Sequence, residues 1–217
     1  PITDATPPQN YGVAFAEMCK KVGVQVSADA EAEVEGLASI SIDRGPFDAL
    51  TPGDTCLDNN MRTPSGWKLL DFEFARFRNA LLDVSYLRSL LPTCWGVGRI
   101  PMGLIQQAEA LYRETLEPAC PSAADSTLFD RSLVEACAFW VVDPFVKWLM
   151  PKALDEDWEW GFVTVRQRII TRFDVFSDMT RELSHMTALG NASAELAERL
   201  KALWPEVAEV PYYPAFR

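Results

Sequence analysis

The tract from residue 53 to residue 73 limits the possible folds more than any other part of this sequence. It opens with Gly53-Asp54-Thr55-Cys56-Leu57-Asp58-Asn59 and closes with Asp71-Phe72-Glu73. Between them lie two runs that suit short strands, residues 60–63 and 67–70, separated by Pro64-Ser65-Gly66. Proline presets one turn dihedral and glycine supplies a positive one, so the tract predicts a β-hairpin. Such a hairpin sets Asn59 just before one strand and Asp71 just after the other, at the same open end.

The rest of the chain reads as helix and loop. Helical periodicity covers residues 11–24, 29–40, 79–91, 101–117, 126–150, 162–183 and 193–204, with Pro92 and Pro205 as stops. Residues 43–52 and 92–99 read as loops and residues 210–214 as an extended tail. Leu133, Ala136, Cys137, Trp140 and Val141 share one helical face, and Pro144 should kink or divide that helix. The expected architecture is mainly α with one small β-hairpin, a single helical lobe over residues 1–217.

Composition narrows the setting. With 48% hydrophobic residues the chain can bury a proper core, and no uninterrupted apolar window is long enough to span a bilayer. A net charge of −11 opposes nucleic acid and anionic membrane as partners. It would favour a cationic small molecule, or serve solubility alone. The five cysteines are odd in number and lack metal-type spacing, which points to a reducing cytoplasm rather than a disulfide framework. Cys56 is expected to pack.

The acids suggest phosphoryl transfer, which asks a protein for in-line positioning and neutralisation of phosphate charge. Asp54 suits the base that accepts a hydroxyl proton. Asn59 and Asp71 suit a Mg²⁺ ion, which takes a few hard oxygen ligands and keeps its waters.

Residues 50–88 resemble the catalytic segment of the aminoglycoside phosphotransferase and choline kinase superfamily, whose fold is protein-kinase-like. That family's loop usually reads His-Gly-Asp with an Asn five positions on, then Ile-Asp-Trp/Phe-Glu, then an Asp in a helix. The resemblance makes Asp54 the base, Asn59 and Asp71 the metal ligands, and Asp83 the residue bracing the loop, with Glu73 in support. It implies Mg²⁺ and ATP or GTP as phosphate donor, and a small, cationic or sugar-like acceptor. Pro52 replaces the family's His, and no Gly-rich phosphate loop or phosphate-gripping Lys strand precedes Asp54. The resemblance therefore covers only the C-terminal lobe, and the nucleotide lobe is expected to have been removed. The alternative is a non-catalytic, pseudokinase-like binding or scaffold domain.

Other candidates are weaker. Asp155, Glu156, Asp157 and Trp158 suit an acceptor pocket, or else a solvated acidic helix start. Thr93, Cys94, Trp95 and Gly96 could border that pocket, with Trp95 also suited to core or lid. Arg76 and Arg78 could meet phosphate or brace the acidic loop, whereas Arg166, Arg168, Arg172 and Arg181 read as a solvated face. His185, the single histidine, has no partner at nucleophile or metal spacing.

Overall fold

The computed structural model describes residues 10–40 and 45–217. It is mainly helical, with small two-stranded antiparallel sheets. Eight α-helices are described: α1 Tyr11–Lys21, α2 Ala28–Gly36, α3 Leu81–Arg88, α4 Met102–Leu116, α5 Ser126–Pro144, α6 Met150–Ala153, α7 Val165–Leu183 and α8 Thr187–Leu203. The strands are β1 Asp48–Thr51, β2 Asn60–Thr63, β3 Gly66–Leu69, β4 Arg76–Asn79, β5 Glu159–Trp160 and β6 Val163–Thr164.

Helix α5 is the central post. From Ser132 to Pro144 nearly every side chain is buried, as expected of a helix surrounded on all faces. Helices α3 and α7 pack on it, and α8 runs back along α7. Phe145, just past α5, meets Phe15 of α1 and Phe173 of α7 with ring centroids 5.9 and 4.8 Å away. Arg88 of α3 grips Glu109 of α4 with two short bonds and Glu182 of α7 with a third, so three helices share one buried cation. Acidic side chains also finish helix ends. Asp125 accepts from the Leu128 amide to start α5, and Glu33 of α2 accepts from Leu189 in the first turn of α8.

The expected hairpin forms as β2 and β3, with Asn60 opposite Leu69 and Thr63 opposite Gly66. Pro144 ends α5, and the chain continues through a single π-helical stretch, Phe145–Leu149, before α6. Three expectations are corrected. Residues 43–52 are not all loop: Asp43 and Arg44 lie outside the described residues, but β1 forms and pairs with β4. A third two-stranded sheet, β5–β6, precedes α7, so the hairpin is not alone. Helix α8 begins at Thr187 rather than residue 193, running through Gly190. A methyl at Gly190 would stand 1.9 Å from Thr180 Oγ1, so this glycine lets α7 and α8 approach closely.

That contact predicts a contrast between two glycines. Gly190→Ala should cost on the order of 1–3 kcal/mol through overpacking. Gly36→Ala, with nothing within 4 Å of the added methyl, should be neutral or stabilise by up to ~1 kcal/mol. Urea unfolding of both variants measures the difference.

Candidate functional site

Asp54 lies between β1 and β2, in a loop whose two walls come from distant parts of the chain. Its Oδ1 accepts the Thr93 hydroxyl at 2.9 Å, the Tyr86 hydroxyl at 3.2 Å and the Cys56 amide at 3.2 Å. Tyr86 is itself fixed. It is buried in α3, its hydroxyl lies against that of Thr93, and its ring meets Trp140 of α5 edge-on. Trp140 in turn donates its indole N–H to the Leu82 carbonyl at 2.8 Å. One carboxylate oxygen is thus committed to three donors, and the other has no such partner among the described residues.

The ends of the hairpin meet this loop. Asn59 donates its side-chain amide to the Asp54 carbonyl at 3.1 Å, which leaves its own Oδ1 uncommitted among the described residues. Its carbonyl accepts the Leu70 amide at 2.8 Å, so Asp71 follows immediately beyond the Asn59 backbone. Asp71 is exposed with φ at 58°, in the left-handed region an aspartate tolerates better than most residues. Its carboxylate takes no hydrogen bond among the described residues. Glu73 is exposed in the turn closed by the Ala75 amide on the Phe72 carbonyl. Gly53, at φ 89°, brings that turn to the Asp54 loop, because a Cβ there would lie 2.4 Å from the Phe74 carbonyl oxygen.

Asp83 sits at the base of the loop. Arg78 of β4 reaches it at 3.1 Å and, from the same guanidinium, donates to Thr51 Oγ1 at 2.6 Å. Asp83 is thereby linked through Arg78 to the strand that leads into Asp54. Burial pushes the Asp83 carboxyl up to about 6, with Arg78 opposing. An open cleft of about 590 Å³ lies between the hairpin and α3, lined by Thr55, Leu57, Asn60, Trp67, Asp83 and Tyr86 among others.

The loop after α3 forms the second wall, and two buried arginines hold it. Arg168 is fully buried. It donates to the carbonyls of Cys94 at 2.7 Å and Trp95 at 3.0 Å, bonds the Trp160 carbonyl, and stacks on the Trp160 ring at 4.0 Å. Arg172, one turn on, donates to the Pro92 carbonyl at 3.0 Å. Burial drives both guanidiniums below their usual range, and the charge of Arg172 adds to the effect on Arg168. These two residues correct the expectation of a solvated face. They share the α7 stripe with Val165, Ile169, Phe173 and Phe176, a helical spacing visible in the sequence. Arg181 does stay exposed, paired with Asp178, and Arg166 stacks on Trp204.

The cysteines differ from expectation. Cys56 and Cys94 form a disulfide with Cα atoms 4.9 Å apart, whereas Cys19, Cys120 and Cys137 are free. Closing a loop across a separation of 38 residues stabilises by about 4 kcal/mol in the chain-entropy account. Of the acids at 155–157, Asp157 serves α7, accepting from the Arg166 amide in its first turn. Trp158 lies under Lys152 at 4.1 Å, and neither Trp158 nor the three acids line the cleft beside Asp54. This matches a helix start better than an acceptor pocket. Trp95 is half exposed, packs on Phe162, and donates to Asp58 Oδ2 at 2.8 Å. His185 pairs with Glu135 at 3.0 Å, away from Asp54. Sequence reasoning missed Tyr86, and it set Thr93 beside the acceptor pocket rather than on Asp54.

A scan of protein-family models finds no match to this chain, and no curated protein matches its sequence. No helix among the described residues is long and apolar enough to cross a membrane.

The raised Asp83 gives a pH prediction. A carboxyl with a folded pKa above its unfolded value favours folding fully below the unfolded value near 4, and loses that contribution as pH rises through about 6. The stability of the native protein relative to Asp83→Asn should therefore fall, by on the order of 2 kcal/mol, between pH 4 and pH 7. Denaturant unfolding of the pair across that range is the check. A flat difference would mean that Arg78 holds Asp83 ionised throughout.

Proposed function

We propose that this chain is the helical lobe of a kinase-like small-molecule phosphotransferase, moving the γ-phosphoryl of ATP or GTP to an acceptor hydroxyl. The supporting observation is the division of labour around Asp54. One oxygen is held by Thr93, Tyr86 and the Cys56 amide, which fixes the carboxylate while leaving the other oxygen for an incoming proton. Asn59 spends its amide nitrogen on the Asp54 backbone and keeps its oxygen, and its backbone carbonyl holds the Leu70 amide just before Asp71, whose carboxylate has no hydrogen-bond partner among the described residues. Hard oxygen donors of this kind fit Mg²⁺, which when bound would bridge and neutralise nucleotide phosphates.

Asp54 would orient the acceptor hydroxyl and take its proton, while Asn59 and Asp71 hold the metal. Asp83 would act through Arg78 to keep the β1 end of the loop in place. The excess of acids would draw a cationic or sugar-like acceptor, and the fold's setting would be cytoplasmic, where nucleotide is abundant. Residues 10–40 form helices α1 and α2 and supply no phosphate-gripping strand. The nucleotide would therefore come with a second lobe. Its docking face would be the β sheets, where Leu50, Met61, Trp67, Leu69, Phe72 and Phe77 are all exposed.

That same apolar face favours a second reading, a non-catalytic scaffold that binds a partner protein there, and Pro52 in the Asp54 loop supports it. The two readings part on metal and turnover. In a polypeptide carrying both lobes, Asp54→Ala should cut phosphate transfer by about 10²–10⁴-fold with nucleotide binding retained. Asp71→Ala and Asn59→Ala should remove the Mg²⁺-dependent part of nucleotide binding, read by calorimetry. Undiminished transfer in Asp54→Ala would end the assignment, and absence of Mg²⁺-dependent nucleotide binding would leave the scaffold.

A further inference from the structure

The disulfide joins two of the three groups that hold Asp54. Cys56 lies two residues past Asp54, and its own amide donates to Asp54 Oδ1. Cys94 directly follows Thr93, whose hydroxyl donates to the same oxygen. The bond thus clamps two donors around one carboxylate oxygen, across 38 residues of sequence. We propose that Cys56–Cys94 is a redox-responsive clip that sets the position of the Asp54 carboxylate. As regulation of catalysis this rests on the phosphotransferase reading; as a conformational switch it does not.

The two sides of the clip are anchored unequally. The Cys94 side is held from α7, Arg168 on the Cys94 and Trp95 carbonyls and Arg172 on the Pro92 carbonyl. The Tyr213 hydroxyl also bonds the Gly96 carbonyl. The Cys56 side hangs between β1 and β2, with the Asn59 amide and Asn60 as its local ties and only hydroxyl and indole hydrogen bonds, from Tyr86, Thr93 and Trp95, reaching it from the other wall. Cutting the sulfur–sulfur bond therefore removes the one covalent tie on the Asp54 loop, loosens it, and leaves residues 92–96 in place. A disulfide in a nucleotide-rich, reducing compartment is more often a transient or sensing bond than a permanent staple.

An acidic side chain stands beside the sulfurs. Both cysteines are buried, and the Asp58 carboxylate lies within 4.8 Å of both sulfurs. Asp58 is exposed and carries the hydrogen bond from the half-exposed Trp95 indole. Opening that surface bond uncovers the pair. The reductant is a dithiol, small molecule or protein. One of its thiolates attacks a cysteine sulfur, giving a mixed disulfide and one cysteine thiolate. Its second thiol then closes a disulfide within the reductant and expels the other cysteine. Two electrons and two protons pass from the dithiol to the pair. The Asp58 charge repels the attacking thiolate, so Asp58 acts as a brake on the exchange.

The test uses dithiothreitol on this chain, with amide hydrogen exchange read by mass spectrometry. Reduction should make Cys56 and Cys94 alkylatable and raise exchange at residues 54–59 by about tenfold or more, with residues 92–96 and α7 unchanged. The Cys56→Ser/Cys94→Ser double variant should match the reduced exchange pattern and ignore dithiothreitol. Asp58→Asn should be reduced faster than the native chain. Four results would overturn the proposal. They are free Cys56 and Cys94 before reduction, unchanged exchange at 54–59 after it, loss of structure throughout the chain on reduction, and no acceleration in Asp58→Asn. None of these readouts uses phosphate transfer, so a failed switch and a failed phosphotransferase assignment are told apart.

Discussion

Two guanidiniums buried in α7 fix the part of the molecule on which the candidate site depends. Arg168 and Arg172 point out of the apolar stripe of their helix and take up backbone carbonyls at Pro92, Cys94, Trp95 and Trp160. No carboxylate neutralises them within that network. Burying a charge without a counter-ion is costly, and both groups respond by losing some of their affinity for the proton. Arg168 Nε and Arg172 Nε and Nη1 also find no hydrogen-bond partner among the described residues. Such a cost is borne only where something else requires the geometry, and the geometry here is that of residues 92–96. Thr93 in that loop then meets Asp54, and Cys94 ties it to Cys56. A local desolvation penalty in one helix is converted into a defined carboxylate orientation at the far end of the loop.

The other wall is set by cheaper means. Arg78 lies under Thr51 and Asp83, Gly53 admits the Phe74 backbone, and Asn59 clips both the Asp54 carbonyl and the Leu70 amide. Each is a short-range contact within residues 51–83. This wall is local in sequence, whereas the first depends on contacts between residues about 70 to 80 apart, such as Cys94 with Arg168 and Pro92 with Arg172. The loop that holds Asp54 therefore joins a soft, local segment to a stiff, distant one.

That difference also governs what the sequence could disclose. The hairpin was legible because Pro64 and Gly66 impose turn dihedrals within a few residues, and so was the convergence of Asn59 and Asp71 at its open end. Strand β1 was not, because its partner β4 lies 25 residues later and its pattern leaves Leu50 exposed opposite Phe77. The start of α8 was hidden by Gly190, which resembles a helix breaker yet is required by the approach of Thr180. Pairing of Cys56 with Cys94 cannot be deduced from an odd set of five cysteines. Arg168 and Arg172 could have been found, since they fall on the apolar stripe of α7, but arginine on a helix was taken for solvent. The kinase-like reading itself remains the proposal of the loop chemistry, because the family comparisons return nothing.

The distribution of apolar surface carries the argument one step further. The helical body buries its large side chains around α5, as a self-sufficient core does. The sheets β1–β4 and β2–β3 do the opposite, turning Leu50, Met61, Trp67, Leu69 and Phe77 outward beside the basic Arg62, Lys68 and Arg76. The β1–β4 sheet buries Thr51 and Arg78 on its inner side, but β2–β3 has no buried residue, and a two-stranded sheet of that kind is marginal in water on its own, so it depends on its ties to the loop below and on whatever covers it. Every group that binds metal or proton in the proposed site lies along that same border. A partner that buried the sheets would stiffen the hairpin, fix Asn59 and Asp71 relative to Asp54, and close the cleft beside Asp83 in one event. In the proposed phosphotransferase, binding at the sheet face and completion of the site would be a single physical process.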